Sequence, residues 1–254
     1  MKETFLQVNC QSLGLISLDN IDLNNDFDLN IPTVFKFNIN DYNYLYNNIS
    51  SYLNATEVEK SNSYFLDRDK VQFAVCRALL KIILANYTNL SIKDIIIAYG
   101  PWKKPYLMNN SNIQFNISHS NYCCLIAIYK DDIGVDVEHL KPTENIDALL
   151  TNIISKKENI PRFYSAREKE LFFYNTWTKK ESVVKALGTG IDDDFSQIRL
   201  VENLNHKNIQ FDSNREIWQN FDFRLKPDYQ GALTFKKFMN QKIYPKFYTL
   251  TLNN

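Results

Sequence analysis

Residues Ile133-Gly134-Val135-Asp136-Val137-Glu138 alternate apolar and acidic side chains, and that alternation constrains the fold more than any other stretch of the chain. In an extended strand successive side chains point to opposite faces. Val135 and Val137 therefore share one face, and Asp136 and Glu138 the other. Such a strand forms the edge of a core, with two carboxylates projecting from it.

About forty residues on, Trp177-Thr178-Lys179-Lys180-Glu181-Ser182-Val183-Val184-Lys185 lies in a run of good helix formers from about Asn175 to Leu187. Gly188 follows, the residue expected at a left-handed helix end. Trp177, Glu181 and Lys185 recur every four residues and so make one stripe of indole, carboxylate and ammonium. Three acids, two from a strand and one from a helix, suit magnesium, a hard cation that takes oxygen ligands and is commonly completed by phosphate. Each piece alone has a plainer reading. A Glu–Lys pair four apart on a helix is most often a surface pair worth roughly 0.2–0.5 kcal/mol, and an Asp-x-Glu at a strand end is usually a solvated edge that discourages pairing.

A third segment changes that balance. Phe115-Asn116-Ile117-Ser118-His119-Ser120 runs from an apolar strand into what reads as a polar turn, where Ser118 and His119 offer donors to a phosphate. It follows Gly100-Pro101-Trp102-Lys103-Lys104-Pro105.

In this order the four segments resemble the signature of the 4′-phosphopantetheinyl transferases of the surfactin-synthetase-activating type: a Gly-Lys-Pro element, Asn-Ile-Ser-His-Ser, Gly-x-Asp-x-Glu, and Trp-x-x-Lys-Glu-Ser-x-x-Lys. The resemblance spans about half the chain and implies roles for particular residues. Asp136, Glu138 and Glu181 match the magnesium-binding acids, Glu181 being also the group that activates the acceptor serine. Lys185 matches the lysine on the coenzyme A pyrophosphate, and Lys180 the preceding basic position. Ser118 and His119 match the segment that contacts coenzyme A, and Lys104 the basic residue of the Gly-Lys-Pro element, with Lys103 standing where that element has glycine. Asp136, Glu181 and Lys185 are the catalytic set so implied.

The segment Asp67 to Asn86 reads as a long helix, because Val71, Val75, Leu79 and Ile82 form an apolar stripe. Arg68, Lys70 and Arg77 lie to its side. By resemblance Arg68 reaches the 3′-phosphate of coenzyme A; Gln72 stands at a position that is basic in some relatives. For Lys70 and Arg77 a solvated face is an equal reading.

The resemblance implies an α+β fold of two similar halves related by a pseudo-twofold, with coenzyme A in the cleft between them. The expected division is 1–130 and 131–254, the second half carrying the metal site, with late strands near 195–201, 209–212, 221–225, 231–236 and 246–252. It implies transfer of the phosphopantetheine arm to a serine of an apo acyl or peptidyl carrier protein. The carrier is expected near 140–170, where Lys156, Lys157, Arg162, Arg167 and Lys169 add positive charge. Two other readings stay open: a non-catalytic relative that binds coenzyme A or a carrier, and an unrelated magnesium-dependent phosphohydrolase.

With 254 residues the chain is long enough for both halves, so a functional monomer is expected. The 29 basic and 29 acidic residues cancel, which gives no global field for nucleic acid. Cys10, Cys76, Cys123 and Cys124 contain no Cys-x-x-Cys and read as buried reduced thiols. No export signal is read at the N-terminus and no apolar run approaches the ~20 residues of a membrane span, so a cytoplasmic protein without membrane partners is expected.

Overall fold

Alternating apolar runs and two long helical stretches build two mixed sheets in the computed structural model, which describes residues 6–21, 27–109, 112–155, 158–188, 195–202, 216–238 and 241–252. The first strands are β1 (Leu6–Leu15), β2 (Asp19–Ile21) and β3 (Thr33–Asn38). Short helices α1 (Tyr44–Asn47), α2 (Ile49–Tyr52) and α3 (Ala55–Asn62) lead to α4 (Asp67–Thr88). Helix α3 starts on a capping box in which the side chains of Asn54 and Glu57 each accept from the other's backbone N–H. Asn89, in the left-handed conformation, ends α4. Strands β4 (Ile97–Tyr99), β5 (Pro105–Leu107), β6 (Gln114–Ser120) and β7 (Cys123–Tyr129) follow. The remainder is β8 (Ile133–His139), α5 (Ile146–Ile153), α6 (Ala166–Leu187), β9 (Ile198–Glu202), β10 (Glu216–Leu225), β11 (Tyr229–Phe238) and β12 (Lys246–Leu250).

The fold is α+β with two similar halves. One half contributes β3, α4 and the hairpin β6–β7, in which β3 pairs antiparallel with β7; the other contributes β8, α6 and the hairpin β10–β11, in which β8 pairs antiparallel with β11. The sheet orders are β2-β12-β3-β7-β6 and β8-β11-β10-β1-β9. A division at 130/131 is therefore crossed at both ends. The N-terminal β1 lies parallel between β10 and β9, and the C-terminal β12 lies parallel between β2 and β3. Each exchanged strand pairs along both edges, which the hydrophobic pattern alone does not encode.

The layers run helix, sheet, sheet, helix. Leu125, Ala127 and Tyr129 of β7 meet Val135 and Val137 of β8 and Phe221, Phe223 and Phe235 in the layer between the sheets. The alternate residues Cys124, Ile126 and Ile128 face α4, against Val75, Leu79 and Ile83. Helix α6 covers the outer face of the other sheet, with Val183 and Val184 on Val8, Cys10 and Ile198. Each such side chain contributes roughly 1.5–3 kcal/mol by leaving water.

By length and composition α4, with 22 residues, is apolar enough to cross a membrane, unlike the sequence expectation. Its apolar residues here form the core of the first half, and Arg77 and Lys81 are buried beside Glu57, at 3.7 and 3.3 Å. Arg77 is thus a buried ion-pair partner and not a solvated face. Lys70 pairs at the surface with Asp67 at 2.7 Å. All four cysteines are free and buried; burial pushes the Cys123 thiol up to about 12. The expected strand at 209–212, and Lys156 and Lys157, lie outside the described residues.

Candidate active site

Gly134 decides how near the two halves of the site come. A Cβ there would lie 2.1 Å from the Ser182 carbonyl oxygen and 2.3 Å from the Ala186 nitrogen, so the α6 backbone rests directly on β8. That contact carries Glu181 and Lys185 down to the acid face of β8. Lys185 Nζ reaches Asp136 Oδ1 at 2.6 Å and Ser118 Oγ at 3.1 Å, and Ser118 Oγ donates to Asp136 Oδ1 at 2.8 Å. Asp136 is buried, yet its Oδ2 has no hydrogen-bond partner among the described residues.

Glu138 and Glu181 lie within electrostatic reach of Asp136. Burial, then the Asp136 charge, raises the Glu138 carboxyl above the usual carboxylate range; Ser120, Lys185 and Trp177 partly offset this. Burial raises Glu181 as well, with Lys185 opposing and the two other acids adding to it. The indole of Trp177 packs on Phe173 and Phe195.

Ser118 and His119 stand within strand β6 and not in a turn. Pairing continues through Ser118↔Leu125, His119↔Cys124 and Ser120↔Cys123, and the chain turns only at Asn121 and Tyr122. Because the strand continues, Ser118 faces β8 while His119 faces α4. There Gln72 Nε2 lies 2.6 Å from His119 Nδ1. With the amide as donor, Nδ1 accepts and the neutral ring keeps its proton on Nε2. Part of the ring faces solvent, but the crowding around it, ahead of the Lys185 charge, lowers its pKa below the usual imidazole value. Arg68, one turn before Gln72, is largely exposed and lines a cleft of about 240 Å³ with Asn40, Val71, Gln72 and Tyr122. A polar line thus runs from Arg68 through Gln72 and His119 to Lys185 and the acids.

Two expected ligand contacts are engaged elsewhere. Lys180 is fully buried and donates to the Ile153 and Phe195 carbonyls and to Glu158, at 2.6, 3.1 and 2.6 Å. It points to a different side of α6 from Glu181 and Lys185, because one residue along a helix turns the side chain by about 100°. Lys104 donates to the Ala186 and Ile133 carbonyls at 2.7 and 3.3 Å, and burial lowers its pKa. It fastens the end of α6 to the start of β8. Lys103 before it has φ +63°, the left-handed backbone that glycine adopts without cost. The turn of the Gly-Lys-Pro element is therefore formed here by a lysine.

Among the described residues no three carboxylate, imidazole or thiol groups close into a ready metal cluster. The expected triad differs from that expectation because its acids already have other partners: Asp136 is held by Lys185 and Ser118, and Glu138 by Ser120. The donor set still fits a divalent cation. The Asp136 charge raises the proton affinity of Glu138, both acids raise that of Glu181, and one buried oxygen of Asp136 lacks a partner among the described residues. Sequence reasoning missed Gln72 and Ser120 as polar partners of the site; for Ser120 the signal was the Asn-x-Ser-x-Ser alternation itself.

The molecule is thus two α+β halves with an acid–ammonium site where a helix of one half and the edge strands of both meet. The family model of the 4′-phosphopantetheinyl transferase superfamily matches residues 132–234, and that of the 4′-phosphopantetheinyl transferase N-terminal region matches residues 41–130. The chain belongs to the 4′-phosphopantetheinyl transferase superfamily. It is 29% identical over 148 residues to the 4′-phosphopantetheinyl transferase HetI of Nostoc sp., covering 56% of this chain and 62% of that one. To the 4′-phosphopantetheinyl transferase ffp of Bacillus subtilis it is 28% identical over 158 residues, 61% and 69% of the two chains. To the 4′-phosphopantetheinyl transferase Sfp of Bacillus subtilis it is 25% identical over 150 residues, 58% and 66% of the two chains. The match thus spans less than two thirds of the length of HetI and of Sfp.

Proposed function

We propose that this protein transfers the 4′-phosphopantetheine arm of coenzyme A to a serine hydroxyl of an apo acyl or peptidyl carrier protein. The observation that carries this reading is the meeting of Lys185, Asp136 and Ser118 on the seam between the halves, with Glu138 and Glu181 beside them. Family membership supplies the chemistry to which that site is matched.

Coenzyme A would lie along the line from Arg68 to Lys185, its 3′-phosphate towards Arg68 and its pyrophosphate at His119 and Lys185. The Lys185 ammonium binds the pyrophosphate and faces the charge that grows on its oxygens as the reaction proceeds. Glu181, whose carboxyl is raised by burial, is a better base than an exposed glutamate and takes the proton from the acceptor serine. The serine oxygen forms a bond to the β-phosphorus, the bond from that phosphorus to the bridging oxygen breaks, and adenosine 3′,5′-bisphosphate leaves. Asp136, Glu138 and Glu181 would hold magnesium, which when bound supplies positive charge to the phosphate oxygens. Positioning supplies most of the remainder, since phosphoryl-type transfers ask little covalent chemistry of the protein.

The carrier would dock beside the groove lined by Thr143, Ile146, Phe163, Tyr164 and Lys169. Arg162, stacked over the exposed Tyr164, is its leading contact; Arg167 and Lys169 are already paired with Glu170 and Asp147. The same reading places the protein in the cytoplasm as a monomer.

The test is to mix the protein with coenzyme A, magnesium and an apo-carrier and weigh the carrier. A gain of one phosphopantetheine arm is expected. Tight coenzyme A binding with no gain on several carriers would instead favour the non-catalytic reading, and phosphate release without a carrier the phosphohydrolase.

A further inference from the structure

Strand β8 is the outer strand of its sheet, and an outer strand leaves every second backbone N–H unpaired. Those donors are taken here by side chains of β6, the outer strand of the other sheet. Val135 N donates to Asn116 Oδ1 at 2.9 Å, Val137 N to Ser118 Oγ at 3.3 Å and His139 N to Ser120 Oγ at 3.0 Å. Residues 116, 118 and 120 share one face of β6, so one alternating motif makes three successive rungs. The two serines do more than the asparagine. A hydroxyl has a single proton, and a backbone N–H cannot accept it. The Ser120 proton therefore goes to Glu138 Oε2, at 3.0 Å.

Resting on the transferase reading above, we infer that Ser120 is a positioning residue: it fixes the Glu138 carboxylate for the divalent cation by tying it to the edge of its own strand. The register locks the geometry, because Ser120 is held by the N–H of the residue immediately after the acid it orients. Glu138 thus takes its orientation from the other half of the protein, and the acid pair is set only when the two sheets are docked.

The experiment is a Mn²⁺ titration of the full chain in the presence of coenzyme A, followed by the electron paramagnetic resonance signal of free Mn²⁺, for wild type, Ser120→Ala, Ser120→Thr and Asn116→Ala. Removing a partner that orients a metal ligand costs on the order of 10-fold in affinity, so Ser120→Ala should weaken Mn²⁺ by about that factor. Metal-free coenzyme A affinity should stay unchanged, and Ser120→Thr should restore binding. Asn116→Ala removes a rung that bears no carboxylate; it should lower the melting temperature and leave Mn²⁺ affinity as in wild type. In turnover, the Ser120→Ala defect should fall on the KM for magnesium more than on kcat. If alanine does not fold, Ser120→Cys keeps the volume with a poorer donor and should weaken Mn²⁺ several-fold. Mn²⁺ affinity within twofold of wild type in Ser120→Ala, or in Ser120→Cys where alanine does not fold, overturns the inference while leaving the transferase reading intact, as does an equal loss in Asn116→Ala. A wild-type protein that binds no Mn²⁺ with coenzyme A overturns both.

Discussion

Lys185 Nζ stands 2.6 Å from Asp136 Oδ1, so a helix of the second half supplies the counter-ion for a buried strand carboxylate. Asp136 is 3% exposed, and without that ammonium its charge would keep, among the described residues, the Ser118 hydroxyl as hydrogen-bond partner. Lys185→Met should therefore destabilise the metal-free protein by about 1–3 kcal/mol, less than the loss of a fully buried partner because Lys185 itself is partly exposed. Mn²⁺ should raise the melting temperature of Lys185→Met more than that of wild type, since the metal then supplies the missing positive charge. Thermal melts with and without Mn²⁺ measure both; equal metal shifts would mean that Lys185 is not the resident counter-ion.

Gly134→Ala should be among the most damaging substitutions. The added methyl would meet α6 backbone that cannot rotate away, so the helix must lift from β8. Overpacking of this kind costs about 1–3 kcal/mol or more, and the lift moves Glu181 and Lys185 away from Asp136. Urea denaturation should show the stability loss, and transfer should fall further than the folded fraction does.

Lys180→Met and Lys104→Met separate structural from ligand-binding lysines. Lys180→Met leaves Glu158 and two carbonyls short of their donor and should cost about 3–5 kcal/mol. Lys104→Met frees two carbonyls at the junction of α6 and β8 and should cost about 1–3 kcal/mol. In the folded fraction of either variant the KM for coenzyme A should remain near that of wild type. A KM raised tenfold with unchanged stability would return these lysines to the ligand.

The raised carboxyls of Glu138 and Glu181 set a pH dependence. Their folded pKa values lie above their unfolded ones, so between the two values the folded state holds more protons than the unfolded state. Their contribution to stability is present below the unfolded values, about 4.3 for Glu, and is lost as pH rises through the folded ones. Glu138→Gln removes one such penalty and should raise the metal-free melting temperature at neutral pH, by about 2–4 °C per kcal/mol relieved. The gain should vanish below the unfolded value. Because protons and the metal compete for the same oxygens, Mn²⁺ affinity of wild type should fall on acidification through that window.

Lys103 holds a left-handed backbone, φ +63°, at a cost of roughly 1–2 kcal/mol for a residue with a Cβ. Glycine there removes that cost and adds disorder to the unfolded chain. The net effect of Lys103→Gly should be a stabilisation of about 0.5–1 kcal/mol in chemical denaturation.

Local periodicity made much of this site legible. Alternation from Ile133 to Glu138 put the acids on one face, and four-residue spacing aligned Trp177, Glu181 and Lys185, because both follow from backbone geometry that a strand or helix carries wherever it is placed. The strand character of Ser118 and His119 was not legible, since it comes from pairing with Leu125 and Cys124. Nor was the fate of Lys180 and Lys104. A lysine beside two motif residues reads as a ligand contact until the tertiary structure shows which carbonyls it reaches. The exchange of β1 and β12 between the halves, and the docking of β6 on the open edge of β8, likewise depend on contacts between residues far apart in the chain. The sequence by itself determined which side chains share a face; only the tertiary structure decided which of those faces meet, because register and edge pairing are settled by burial and hydrogen bonding across the whole molecule.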